Sequence, residues 1–305
     1  MTIDDPKAVR RFDRVLAAPG LEWRGRLEAV FETAAVARPD GEAPRITLVG
    51  PSRDLVPWSA AAPLAGLAVG DAVRLAGRTL EVRGAGGRRA FRLAGRGVRL
   101  SMARRAAAAS IDRVPAHLAE IAGSGRPGAL LGHGACTARH IGDRAASITA
   151  WLCCLTSSGG WERAVAGIAG AGPGLTPSGD DVLVGILAAA ARLGAAGWVH
   201  RGRVLALRRA VAALPRGCTT PVSREMLDHA ARGRFPEALL AVAQGIGDPR
   251  EPAGALGRAG LRLVTGTGAT SGADMLAGVV GLARDMVRSV PGAWCVGRSQ
   301  ASSWT

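Results

Sequence analysis

The sequence predicts an α+β fold. A small antiparallel β domain, barrel- or meander-like with a leading helix, is expected over residues 1–100. A mainly α-helical domain with two buried central helices follows over 101–290, and a loose tail over 291–305. Three observations carry this expectation. Short alternating apolar runs separated by glycine fill the first third. Ala-rich segments with helical spacing follow. Within these, Val182–Leu193 is apolar nearly all round, as a helix inside a core would be, and Met275–Val287 repeats its character.

Composition agrees with a folded chain. The 305 residues suffice for one large domain or two ordinary ones. The content is 48% hydrophobic and 21% charged, which excludes disorder. No run approaches the roughly 18 unbroken apolar residues of a membrane span, and the first residues carry no apolar leader. A cytoplasmic protein is expected, with no membrane partner.

The formal charge of +15 raises the question of nucleic acid. Lys7 is the only lysine, and the arginines are scattered with at most two adjacent. No basic strip interleaved with aromatics appears, so nucleic acid is not expected, while anionic small molecules are favoured. The cysteines Cys136, Cys153, Cys154, Cys218 and Cys295 form no C-x-x-C pair, and neither they nor the dispersed histidines give a metal spacing.

Along the chain, Val9, Phe12, Val15 and Leu16 predict a short helix within residues 4–18. Strand patterns follow at Leu27–Phe31, Val36 and Ile46–Val49, with the turn signal Pro39-Asp40-Gly41 between the last two. Further short strands are expected around Val73/Leu75, Leu80/Val82, Phe91/Leu93 and Val98/Leu100. No catalytic grouping falls here, so a structural or assembly role is expected for this domain.

Helix is predicted over Met102–Ala109, interrupted at Val114-Pro115, followed by a Gly-rich loop over Gly123–Gly134. Helices at Ile141–Leu155 and Trp161–Ile168 follow, then Val182–Leu193, Val204–Leu214, Pro221–Arg232 and Pro236–Gln244. A Gly/Pro loop is expected through Gly260, and a turn from Gly266 opens the last helix.

The functional signal lies in two turns. Gly172-Pro173-Gly174-Leu175-Thr176-Pro177-Ser178-Gly179-Asp180-Asp181 enters the first central helix, and Thr270-Ser271-Gly272-Ala273-Asp274 enters the second. Aligned from Ser178 and Ser271, five of eight positions are identical, at a constant offset of 93. The repeat predicts two equivalent helix starts facing one site, with Gly185 and Gly278 allowing close backbone approach. Ser-x-x-Asp before an apolar run also reads as a capping box, which by itself accounts for Asp181 and Asp274. Capping leaves Gly174, Thr176, Pro177 and Asp180 unexplained.

Glycine-rich backbone at a helix start is a ready anion site. Carboxylates beside it require a cation or a substrate N–H group between them and the anion. One reading is Mg²⁺ held by Asp180, Asp181 and Asp274. The other is a ligand carrying both an anionic group and an amide. A third turn, Cys218-Thr219-Thr220-Pro221-Val222-Ser223-Arg224, offers Thr220 as N-cap and Pro221 at the first helical position. It leaves Thr219, Ser223 and Arg224 for a ligand, Arg224 as a partner for carboxylate or phosphate.

On these motifs the chain resembles the AllH-type subunit of oxamate carbamoyltransferase. The two turns carry the resemblance, and Thr219-Thr220-x-x-Ser223 adds to it. The resemblance implies a role in purine (allantoin) catabolism. The implied reaction interconverts oxalurate and phosphate with oxamate and carbamoyl phosphate, in a complex with an FdrA-like chain and other carbamoyltransferase subunits. It assigns no catalytic residue and no cofactor. From the chemistry, Gly174, Thr176, Ser178, Gly179, Thr270, Ser271 and Gly272, with Thr219, Thr220, Ser223 and Arg224, are expected to bind a small anionic substrate, carbamoyl phosphate or phosphate. Asp181, Asp274 and Asp180 are expected to orient the amide nitrogen or to act on its proton. The alternatives are a Mg²⁺-dependent helical hydrolase of the ADP-ribosylglycohydrolase kind and a non-catalytic assembly subunit.

Overall fold

The computed structural model describes residues 7–9, 11–95, 97–102, 109–123, 135–155, 159–268 and 270–289. The chain divides between Leu100 and Ser101 into two compact units.

The first unit is one eight-stranded sheet. Its strands are β1 (Lys7–Val9), β2 (Glu22–Val30), β3 (Ala34–Pro39), β4 (Ile46–Val49), β5 (Ser59–Ala61), β6 (Ala72–Ala76), β7 (Thr79–Gly84) and β8 (Gly87–Leu93). They lie in the order β1-β8-β7-β6-β2-β3-β4-β5. Residue alternation builds it: Trp23 and Leu27, Val73 and Leu75, Leu80 and Val82, Phe91 and Leu93 all point to one apolar core. The intervening residues face solvent.

The sheet is mixed, which corrects the antiparallel expectation. Pairing is antiparallel from β8 through β4, but β1 runs parallel to β8 and β5 parallel to β4. The proline-containing segment between β4 and β5 carries the chain back, so β5 starts from the same end as its partner. Residues 4–18 are corrected too. Where described they form β1 and a 3₁₀ turn over Arg14–Ala17, whose N-cap Asp13 accepts from Val15 N. Val9, Phe12 and Leu16 reach the core from a strand, a bridge to Ala60 and that turn, a path that mimics helical spacing. Val98 makes an isolated bridge to Asp13, and no strand forms at 98–100.

The second unit is helical. Its described helices are α1 (Val114–Gly123), α2 (Ala135–Leu152), α3 (Trp161–Ile168), α4 (Ser178–Ala195), α5 (Arg201–Ala212), α6 (Pro221–Ala231), α7 (Glu237–Gly245), α8 (Ala255–Gly266) and α9 (Ser271–Ser289). Val114-Pro115 opens α1 and does not interrupt a helix, because proline at a first turn costs no hydrogen bond. The expected loop through Gly260 is replaced from Ala255 by α8, whose Leu256, Ala259 and Leu263 pack inward despite the interior glycine at 260. The helix expected at Met102–Ala109, the Gly-rich loop with Leu130 and Leu131, and the tail from Pro291 fall largely or wholly outside the described residues.

Helices α4 and α9 form the centre. From Ser178 to Ala190 every α4 residue is buried. A Cβ placed on Gly185 would lie 1.9 Å from the Met275 carbonyl oxygen, and one on Gly278 would lie 2.2 Å from the Val182 carbonyl oxygen. Gly185 matches Gly278 in the repeat, and Val182 matches Met275, so the contact is reciprocal. The helices touch backbone to backbone, which only glycine permits. Outside this pair, Trp151 of α2 stacks on Trp161 of α3 with ring centroids 3.9 Å apart. Thr149 of α2 donates to Asp285 of α9 at 2.6 Å.

Candidate functional site at the paired helix starts

The duplicated turns meet. Thr176 Oγ1 and Ser271 Oγ hydrogen-bond at 2.7 Å, joining the loop before α4 to the first residue of α9. The repeat extends to the preceding helix in each case. A Cβ on Gly179 would strike the Ile168 carbonyl at the end of α3, and one on Gly272 the Leu263 carbonyl in α8, both at 1.9 Å. Each half is therefore a helix, a glycine turn and a second helix whose second residue must be glycine.

The capping-box reading fails at α4. Ser178 is already helical, Pro177 holds the N-cap position, and no side chain caps α4. Ser271 likewise opens α9, and the Asp274 amide donates to the Thr270 carbonyl at 3.0 Å. The amides of Gly179 and Gly272, two residues expected to bind an anion, have partners within the chain. Gly179 N donates to the Ala171 carbonyl at 2.8 Å and Gly272 N to the Thr267 carbonyl at 3.0 Å. Both amides are spent in closing their turns.

Three carboxyls lie beneath these turns, each fully buried: Asp180, Asp181 and Asp274. Their environments differ. Asp180 accepts from Gly170 N at 2.9 Å, from Ser223 Oγ at 2.7 Å and from Thr219 Oγ1. It ties three segments together and is a positioning residue. Asp180→Ala strands three donors, one of them the fully buried Ser223 hydroxyl, and should cost about 3 kcal/mol or more. Thermal melts of the purified chain check this.

Asp181 is a different case. Neither of its oxygens has a hydrogen bond of full geometry. The Ser271 and Thr176 hydroxyls stand beside it and favour its charge, but they are engaged with each other. Burial dominates and holds the Asp181 carboxyl well above the usual carboxylate range, with Asp274 and Asp180 pushing the same way. Asp274, itself fully buried, is near enough for its charge to add to this upward push.

The third turn packs onto the same place. Thr220 caps α6, accepting from Ser223 N at 3.1 Å, and its hydroxyl donates to the Leu175 carbonyl. Gly170 sits so close that a Cβ would meet the Cys218 carbonyl at 2.0 Å. Arg224 is not brought to the carboxyls. Its guanidinium donates to the carbonyls of Ala212, at 2.8 Å, and Leu214 around the end of α5, and pairs with Asp228 at 3.0 Å. It serves the orphan carbonyls of that helix end.

Gly172, Pro173, Gly174 and Leu175 form the outer cover, with Leu175 58% exposed. Gly172 and Gly174 take φ of 112° and 96°, values that other residues reach only with strain. Sequence reading missed Gly170 and the carbonyls of Ala171 and Leu175, which build the site through backbone atoms. The left-handed glycines were the only available signal for them.

The fold and site thus define a two-unit α+β protein whose helical unit carries a duplicated helix–turn–helix around a buried carboxyl pair. Residues 168–282, which contain all three turns, match the family model described as oxamate carbamoyltransferase subunit AllH. The resemblance read from the turns is supported over this segment. No curated protein and no solved structure gives a significant match. No helix among the described residues is long and apolar enough to cross a membrane.

Proposed function

We propose that this chain is a subunit of a carbamoyltransferase complex, and that the paired helix starts hold the small substrate. The observation that carries this reading is the buried Asp181–Asp274 pair at the junction of two repeated turns, with Thr176 and Ser271 hydroxyls beside it. Capping does not use the Asp181 carboxyl, neither of whose oxygens has a hydrogen bond of full geometry, and burying it costs stability, so its retention points to chemistry.

The reaction implied by the family name needs one group that a shared-proton pair supplies. A phosphate oxygen attacks the ureido carbonyl of oxalurate, and the C–O bond forms. The C–N bond then breaks, and the departing oxamate nitrogen takes a proton. A neutral carboxyl of the pair gives that proton and becomes carboxylate, and the proton that the attacking hydrogen phosphate loses restores the pair. In the reverse direction it accepts the proton from the attacking nitrogen. Thr176 and Ser271 orient the ligand's oxygens, and the cover at 172–175 lifts to admit it.

The Mg²⁺ reading is weaker. Among the described residues no group of three or more His, Cys, Asp or Glu is placed to hold a metal ion. Asp180, which that reading requires, already serves three donors.

Isothermal titration of the full chain with oxamate in phosphate buffer tests the binding claim. Binding is expected, and the combined Thr176→Val and Ser271→Ala variant should weaken it about tenfold, by loss of about 1.4 kcal/mol. Absence of binding by wild-type chain would favour a purely assembling subunit.

A further inference from the structure

We infer that the solvent face of the N-terminal sheet docks an acidic surface of a protein partner. The charges on this face are far apart in sequence and are brought together only by strand register. Arg38 pairs with Arg26, Arg26 with Ala72, Ala72 with Arg83 and Arg83 with Arg88. Four of the five positions in this row across the sheet are arginine, and all four are exposed. Beside it runs a second row, in which Arg24 pairs with Arg74 and Arg74 with Glu81.

Like charges directly opposite one another on neighbouring strands, about 5 Å apart, destabilise a sheet. Acids offset part of this field: Asp40, whose amide donates to the Arg24 carbonyl at 2.9 Å, stands at one end of the second row and Glu81 at the other. Glu81 pairs with Arg88 and, at 3.5 Å, with Arg83, and its carboxyl is held below the usual range chiefly by the Arg88 hydrogen bond. Arg26 donates to the Gly70 carbonyl at 3.1 Å. The Arg26/Arg38 and Arg24/Arg74 pairs have no acid between them in register. At the Arg38 end, an open depression of about 570 Å³ is shared with Asp40 and Glu42, which marks the limit of the cationic field.

The occupant is a protein and not a nucleic acid because no aromatic side chain interleaves the two arginine rows. Trp23 and Phe91, the large aromatics of these strands, point into the core. A broad flat face with guanidinium forks in rows matches carboxylates displayed on a folded surface. The choice of a protein partner also rests on the reading of this chain as one subunit of a complex.

The test uses the full chain and fluorescein-labelled poly-L-glutamate, read by anisotropy at low and moderate salt. One variant changes Arg24, Arg26, Arg38 and Arg74 to threonine, which suits strands. A control of equal charge changes the exposed helical residues Arg139, Arg163, Arg258 and Arg262 to glutamine. The sheet variant should bind at least about tenfold more weakly than wild type, with a steeper loss than the control. Equal loss in both variants, or no binding by wild type, overturns the inference. So does tighter binding of oligothymidylate through the same four arginines, which would make the face a nucleic-acid surface. If the quadruple variant does not fold, the two cross-strand doubles, Arg24/Arg74 and Arg26/Arg38, are read in the same way. None of these readouts depends on turnover, so their failure is separable from failure of the carbamoyltransferase reading.

Discussion

Gly185→Ala is expected to destabilise the helical unit by about 3 kcal/mol or more, and Gly278→Ala by a similar amount. In each case the new methyl would meet a backbone carbonyl, at 1.9 Å for Gly185 and 2.2 Å for Gly278. A carbonyl within a helix cannot rotate away as a flexible side chain can. The two helices would have to separate, and separation opens voids along α4, which is buried without a break from Ser178 to Ala190. At roughly 2–4 °C per kcal/mol for a unit of this size, the melting temperature should fall by at least about 6 °C. Gly281→Ala is the internal control. It lies in the same helix α9 with nothing within 4 Å of its added Cβ, and it should be neutral or stabilising by up to about 1 kcal/mol. Equal effects at Gly281 and Gly278 would remove the close crossing from the account. Because Gly185 and Gly278 serve one contact, their combined effect should fall short of the sum.

Asp181→Asn is expected to move stability and activity in opposite directions. The sign follows from the raised pKa. Between the unfolded value, near 4, and the higher folded value, the native state holds a proton that the unfolded state has released. Stability therefore falls as pH rises through this interval. Asparagine keeps the shape and removes the titration. At neutral pH the variant should gain roughly 1–3 kcal/mol, the cost of an incompletely paired buried polar group. The decline in melting temperature between acidic and neutral pH should flatten. Turnover in the reconstituted complex should drop by about 10²–10⁴, the usual contribution of a positioned acid or base. On the proposed reading, in which the two carboxyls act together on one proton, Asp274→Asn should lower turnover as well. A variant with lower stability and normal turnover would make Asp181 a structural residue.

How much of this could be read in advance depends on which atoms carry the information. The sheet's strands were legible because Val73/Leu75, Leu80/Val82 and Phe91/Leu93 alternate with polar residues, and one buried face enforces that period. The parallel edges were not, because β1 and β5 have three residues each and pair across long sequence separations. Helix α8 was hidden by its interior glycines, which lower helix propensity while packing decides the outcome. In the site, the repeated Ser-Gly-x-Asp pattern exposed both helix starts and the glycines that let them touch. It could not show that Gly179 and Gly272 spend their amides on their own turns. Nor could it show that Asp180 is consumed by Gly170, Thr219 and Ser223 while Asp181 is not. Those distinctions arise from backbone geometry and three-dimensional packing. Arg224 was misplaced for a similar reason: a carbonyl-rich helix end competes for a guanidinium as effectively as an anionic ligand does.

Infrared difference spectroscopy of the full chain at neutral pH tests the central claim most directly. A buried neutral carboxyl gives a C=O band distinct from carboxylate. The band should be present in wild type, shift when oxamate and phosphate are added together, and be lost or altered in Asp181→Asn. Absence of a protonated carboxyl band at neutral pH, or a band unmoved by the ligands, would contradict a proton-sharing Asp181–Asp274 pair acting on a substrate at these helix starts.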